Sequence, residues 1–141
     1  MTVLFSRQCE YGIQAVLYIA AKGKDAVVSS QEISEVLGIP REFVSKTLQL
    51  LCKCGITASI RGNSGGFYIK KNSGKIHLLD IVKAIDGKDI LESCVLGFPE
   101  CSSSNPCPMH KKWKKLRENI SDILSTESLD MLKVQMAKKI K

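Results

Sequence analysis

Cys94, Cys101, Cys107 and His110 follow the pattern C-x6-C-x5-C-x2-H, the most specific chemical signal in the chain. They lie in CVLGFPECSSSNPCPMH, which has three prolines, three consecutive serines and no sustained hydrophobic period. Such a stretch reads as a loop. No helix or strand fixes the directions of loop thiols, so these four side chains can converge on one centre. Three thiolates and an imidazole suit tetrahedral zinc, and equally an iron–sulfur cluster whose iron accepts nitrogen. The competing reading, spare thiols packed as small hydrophobes, accounts poorly for three of them beside a histidine.

The remaining candidates are weaker. Cys9 and Glu10 fall in a first helical turn, where an acidic residue stabilises the helix electrostatically. Cys52 and Cys54 form C-x-C, too short for a standard redox pair, and Cys52 reads as a buried small hydrophobe. His77 reads as a surface residue at a helix start. An enzyme or redox carrier would call for a second constellation, and the sequence offers neither a C-x-x-C pair nor a G-x-G-x-x-G loop.

Hydrophobic periodicity supplies the elements that must position these residues. Ser6 to Ala21 reads as a helix with Tyr11, Ala15, Tyr18 and Ile19 on one face. Val27-Val28 reads as a short strand. Ser29-Ser30-Gln31-Glu32 is a capping-box pattern opening a helix that buries Ile33, Val36 and Leu37 and stops at Gly38. A second helix begins near Pro40, with Val44, Thr47, Leu48 and Leu51 inward and Arg41, Glu42, Ser45, Lys46 and Gln49 outward. Two short helices around a tight glycine turn make a helix-turn-helix. Strand-like runs Ile56–Arg61 and Gly66–Lys70 then flank Arg61-Gly62-Asn63-Ser64-Gly65-Gly66, the wing of a winged helix. A helix through Leu78, Ile81, Val82 and Ile85 follows.

After Pro108, a longer helix carries Trp113, Leu116, Ile120, Ile123 and Leu124 on one stripe, which most simply pairs with a second copy, the alternative being packing on the protein's own core. Thr126 reads as the cap of a final short helix through Leu132, with Lys138, Lys139 and Lys141 in a frayed tail. The expected fold class is mainly α with a small β wing. The expected organisation is a winged-helix domain at 1–92, a Cys-rich loop at 93–110, a dimerisation helix at 111–126, and a short helix and basic tail at 127–141.

Length and charge bound the partners. At 141 residues with 44% hydrophobic content, the chain can bury a core without disulfide or metal help. No apolar run approaches the roughly 20 residues of a membrane span, and the start lacks a signal-peptide layout, so a cytoplasmic location is expected. Residues 41–75 hold seven Lys or Arg against Glu42 alone, nearly the whole of the net +7. A localised basic stripe suits the phosphate backbone of double-stranded DNA. Ser45, Lys46 and Gln49 would face major-groove base edges, Arg41 a guanine edge or a phosphate, and Glu42 is equally a cytosine-amine acceptor or a helix-start charge without a contact. Arg61 suits the minor groove, with Asn63 and Ser64 beside it at the wing tip. The amides near Ser29, Ser30 and Gln31 suit a phosphate.

CEYGIQAVLYIAAKG, SSQEISEVLGIPREFVSKTLQLLCKCGI, SIRGNSGGFYI and CVLGFPECSSSNPCPMHKKW together resemble the Rrf-two (Rrf2) family of bacterial winged-helix regulators, over about residues 1–125. The family includes iron–sulfur-cluster regulators (IscR) and nitric-oxide-sensing repressors (NsrR). The resemblance implies a homodimer paired through the long helix and operator binding that depends on an iron–sulfur cluster, with 2Fe–2S the first choice and 4Fe–4S the second. It makes Cys94, Cys101 and Cys107 the cluster cysteines and His110 the fourth ligand. Glu10 falls where other branches use an acidic residue from the partner's first helix. The first gap of six residues is one longer than in the IscR pattern. Alternatives to this reading are a cluster-free regulator of the same family and a zinc-binding Cys3His module that binds nucleic acid.

Overall fold

The computed structural model describes residues 4–70, 72–99 and 101–139. Seven helices and one two-stranded sheet are described: α1 Arg7–Lys22, α2 Ser30–Leu37, α3 Arg41–Lys53, β1 Thr57–Ile60, β2 Gly66–Ile69, α4 Leu78–Asp86, α5 Asp89–Glu92, α6 His110–Thr126 and α7 Leu129–Lys139. The fold is mainly helical with a small antiparallel wing, in register Thr57 to Ile69 through Ile60 to Gly66. Lys71 and Lys141, two residues of the expected basic segments, lie outside the described residues.

Helix α1 is the post around which the others pack. Its apolar residues recur at three and four positions, so Ala15, Val16, Tyr18, Ile19 and Ala20 are all buried. It touches α2, α3, α4, α7 and β2. Gly12 allows the close approach of α3 and α4: a Cβ there would lie 2.5 Å from Ile85 Cδ1 and 2.9 Å from Thr47 Cγ2. The main core joins this face to Ile33, Ile39, Val44, Leu48, Leu51, Ile56, Phe67, Ile76, Ile81 and Leu129.

The helix-turn-helix follows from local chemistry. The Ser29 hydroxyl caps α2 by accepting from the Glu32 amide at 3.1 Å. Gly38 ends the helix in the left-handed region (φ 68°), and its N–H donates to the Ser34 carbonyl. Inward residues of α3 are those expected from periodicity: Val44, Thr47, Leu48 and Leu51. The wing is tied to both sides. Thr57 donates to the Leu48 carbonyl at 3.0 Å, and Val28 and Phe67 exchange backbone hydrogen bonds of 2.9 and 2.8 Å. A Cβ on Gly66 would collide with the Val28 carbonyl, so only glycine allows this backbone approach.

Several local expectations are corrected. Glu32 does not close a reciprocal capping box. Its carboxylate accepts from the Tyr18 hydroxyl at 2.6 Å and pairs with Lys22 at 3.2 Å, which ties α2 to α1. The Tyr18 bond, followed by Lys22, holds the Glu32 carboxyl below its ordinary range against the opposing effect of desolvation. Val36 is 45% exposed because an eight-residue helix resting on Ile33 and Leu37 turns that position outward. Cys52 is half-buried and lies 3.2 Å from the Thr57 hydroxyl. Thr126 ends α6, while the Ser128 hydroxyl accepts from Met131 N at the start of α7. That last helix runs well beyond Leu132, to Lys139, and Leu129 is fully buried in the main core.

Thr47 is 1% exposed, and its hydroxyl has no hydrogen-bond partner. A buried hydroxyl without a partner costs about 1–3 kcal/mol of desolvation. Thr47→Val, which keeps the branched shape, is therefore expected to stabilise the fold by about 1 kcal/mol. Thermal unfolding should show a midpoint about 2–4 °C higher, and an unchanged or lower midpoint would contradict the assignment.

Candidate metal centre and nucleic-acid interface

The Cys94, Cys101 and Cys107 sulfurs lie within 4.8 Å of one another, the one such group of three potential metal ligands among the described residues. Three elements bring them together. Cys94 follows the end of α5, Cys101 and Cys107 belong to the loop, and His110 opens α6. The loop folds back through Asn105 N to Ser102 O at 3.1 Å and His110 N to Cys107 O at 3.0 Å. Cys94 Sγ lies 3.3 Å from Cys107 Sγ, and Cys101 Sγ lies 3.2 Å from His110 Nδ1. The amide of Cys107 donates to Cys101 Sγ at 3.4 Å.

Cys94 and Cys107 are shifted in opposite directions. Desolvation alone would push the Cys94 thiol up. Contacts with the Cys107 thiol, the backbone at Phe98 and Leu96, and the Cys101 thiol outweigh it and bring Cys94 down to about 7. Cys107, its partner, is shifted upward by desolvation and by Cys94. His110 places Nδ1 toward the thiols, while its Nε2 is buried without a hydrogen-bond partner. A depression of about 370 Å³ lined by Phe98, Pro99, Cys101, Asn105, Pro106, Cys107 and Pro108 flanks the centre. The donor set and its convergence therefore fit a thiophilic metal or cluster.

Glu10, the other candidate ligand, lies in the first turn of α1 and is not in its own chain's thiol group. Cys9 beside it is fully buried, packed with Val82 and Leu124. Burial, followed by the Asp86 carboxylate, raises its thiol to about 12, which leaves it protonated and inert. Arg117 was missed by the sequence reading. Its Nη1 donates to the carbonyls of Leu91 and Ser93 at 3.2 and 3.4 Å, and Trp113 Nε1 donates to Ser93 O at 3.1 Å. The available signal was the i,i+4 spacing of these two residues on one face of a lysine-rich helix.

The proposed DNA-reading residues share one surface character. Arg41, Glu42, Lys46 and Gln49 on α3 and Arg61, Asn63 and Ser64 on the wing are exposed, and Ser45 is half-buried. Arg41, Lys46 and Arg61 have no ion-pair partner among the described residues. Cations left unpaired at the surface are free for phosphate. At the start of α2, the Ser29 hydroxyl is committed to its cap and the Gln31 side-chain amide donates to the Glu35 carboxylate at 3.0 Å, and neither bond uses the backbone N–H of Ser30 or Gln31. Phe43, absent from the expected set, is 43% exposed on the same helix and meets Tyr11 edge-on at 5.6 Å.

The family model for Rrf2, described as an iron-dependent transcriptional regulator, matches residues 5–135. A candidate HTH-type transcriptional regulator of Aquifex aeolicus (strain VF5) is 32% identical over 136 residues, covering 94% of each chain. The HTH-type transcriptional regulator IscR of Pectobacterium atrosepticum is 30% identical over 122 residues, 86% of this chain and 74% of that protein. Among solved structures, CymR, the global cysteine regulator of B. subtilis, superposes with a TM-score of 0.79 at 19% identity, covering 95% of this chain and 98% of that one. T. potens IscR superposes with a TM-score of 0.76 at 21% identity, covering all of this chain and 92% of the other. At these identities, the structural likeness establishes the shared fold.

Proposed function

The chain belongs to the Rrf2 family of transcriptional regulators, and on that premise we propose that it is a cytoplasmic homodimer whose affinity for an operator is set by an iron–sulfur cluster. The reading assigns Cys94, Cys101, Cys107 and His110 as ligands, with 2Fe–2S favoured by the imidazole. Glu10 of a second copy is the alternative fourth donor. The observation that carries the reading is the approach of three loop thiols to within 4.8 Å of one another, with a histidine nitrogen 3.2 Å from one of them.

When bound, the cluster supplies a centre sensitive to oxidants, nitric oxide and iron supply. The protein's part is mechanical. Cys94 is attached to α5, and His110 is the first residue of α6, so ligation by both fixes one helix against the other. On α6, Leu124 is buried against Cys9 and Val82, and Ile120 packs beside them, whereas Leu116 and Ile123 are 46% and 60% exposed. The apolar stripe therefore serves two purposes: one side packs within the protomer, and the other is open to a second copy. Met131 and Val134 on α7 add further exposed apolar surface. Pairing through α6 would set the distance between two recognition helices, and half-sites one helical turn apart tolerate only one such distance. A coupling of about 1–3 kcal/mol corresponds to a change in operator affinity of about 5- to 150-fold.

Arg61, exposed at the wing without an ion-pair partner among the described residues, suits a narrow minor groove. Arg61→Ala is expected to weaken binding at all DNA sequences and to lower the salt slope by about one. Titrations at several salt concentrations check this, and an unchanged slope would contradict the contact.

A single zinc ion is the second reading, favoured by the compactness of the thiol group, because Zn–S bonds of about 2.3 Å gather thiolates closely. Anaerobic purification and reconstitution separate the two. The cluster reading expects a coloured protein with equimolar iron and acid-labile sulfide. A colourless protein with stoichiometric zinc would support the second reading instead.

A further inference from the structure

We propose that Trp113 and Arg117 are positioning residues for Cys94, and that they convert occupancy of the thiol centre into a fixed attachment of α6. The inference rests on the assignment of Cys94 as a ligand, and it concerns residues outside the ligand set.

The four-residue helix α5 leaves its last carbonyls without partners of its own. Arg117 Nη1 donates to Leu91 O at 3.2 Å and to Ser93 O at 3.4 Å. Trp113 Nε1 adds a third bond, to Ser93 O at 3.1 Å. Both lone pairs of the Ser93 carbonyl are thereby engaged by one face of α6. That carbonyl belongs to the peptide unit whose nitrogen is Cys94 N, and a peptide unit is planar. The Cys94 Cα lies in that same plane, so holding the Ser93 carbonyl fixes where the base of the Cys94 side chain sits. A metal held by Cys94 would restrain that Cα from the other side, and so hold the carbonyl within reach of both donors.

The alternative to holding is costly for Arg117. Its Nε is already buried without a partner, so losing the Ser93 bond leaves a partly buried guanidinium with fewer acceptors still. A guanidinium presents several donors in a rigid fork, which the single point charge of a lysine would not reproduce. Supporting contacts of this kind around a metal centre typically change its affinity by about 10- to 100-fold.

Trp113 is the sole tryptophan in the chain, so the contact carries its own reporter. Full-length protein, prepared metal-free under reducing anaerobic conditions, is titrated with Zn2+, which does not itself quench fluorescence. Binding is followed separately by competition with a chromophoric chelator. In the wild type, Trp113 emission should shift to shorter wavelength and its anisotropy should rise, both saturating at one equivalent. Arg117→Met should bind Zn2+ about tenfold more weakly and lose at least half of the emission change. Arg117→Lys, which keeps the charge and stem, should resemble Arg117→Met and serves if the latter fails to fold. A purely structural role would lower the melting temperature and leave the Zn2+-dependent emission change intact. Stoichiometric Zn2+ binding by the wild type without any change in Trp113 would overturn the inference. So would a full response in both Arg117 variants. Wild-type protein that binds neither Zn2+ nor Co2+ would instead remove the thiol-centre reading on which the inference stands.

Discussion

Cys107→Ser is expected to abolish the cluster while leaving the fold intact. Cys107 is the hub of the centre: its sulfur lies 3.3 Å from that of Cys94, its amide donates to Cys101 Sγ, and its carbonyl accepts from the His110 amide. A serine hydroxyl does not ionise near neutral pH and is a poor ligand for iron, so one corner of the donor set is lost. Anaerobically reconstituted variant should keep less than about a tenth of the wild-type visible absorbance and iron, since three of four ligands rarely hold a cluster. The loop lies outside both hydrophobic clusters, and the metal-free variant should melt within about 2 °C of metal-free wild type. A fully loaded Cys107→Ser protein would show that this thiol is not a ligand.

The second large effect belongs to the open side of α6. Leu116→Glu combined with Ile123→Glu places charge on two exposed positions one heptad apart and spares the buried Leu124. The expected product is a folded monomer at micromolar concentration by sedimentation velocity. Because a dimer engages two half-sites at once, losing it should weaken operator binding by about 10²- to 10⁴-fold. Leu124→Glu is the control: it buries a charge beside Cys9 and Val82, and should unfold the protein instead of splitting a dimer. A doubly substituted protein that stays dimeric would move the interface elsewhere, with Met131 and Val134 the next exposed apolar residues.

Much of the architecture was legible in the sequence because short-range physics determines it. The spacing of Val44, Thr47, Leu48 and Leu51 gave the inward face of α3 residue for residue, and Ser29 and Gly38 marked the ends of α2. Failures occurred where a side chain had a better partner than its sequence neighbours. Glu32 left its capping box for Tyr18, fourteen residues away. Ser128, not Thr126, caps α7, because the strand-like bridge between His77 and Ser128 fixes where that helix starts. The five apolar residues after Pro108 looked like a single stripe, and only tertiary packing divided them into an inner side and an open side.

The centre shows the same division. Residue types and spacing were enough to nominate Cys94, Cys101, Cys107 and His110, since loop cysteines with no periodicity have few other uses. Their approach is a property of the loop's own turns, including the His110 to Cys107 hydrogen bond. The sequence did not reveal that Trp113 and Arg117 reach back to the Ser93 carbonyl, a contact twenty and more residues distant along the chain. Nor did it reveal that Cys9, next to a candidate ligand, is buried beside Val82 and Leu124, where burial and the Asp86 carboxylate push its thiol up to about 12.

The most direct test of the regulatory account is a pair of operator titrations at one salt concentration. One uses anaerobically loaded protein, and the other uses the same preparation after chelation. The account predicts dissociation constants that differ by about 5- to 150-fold, with Cys107→Ser matching the stripped protein under both conditions. Identical affinities for fully loaded and fully stripped wild type would contradict it.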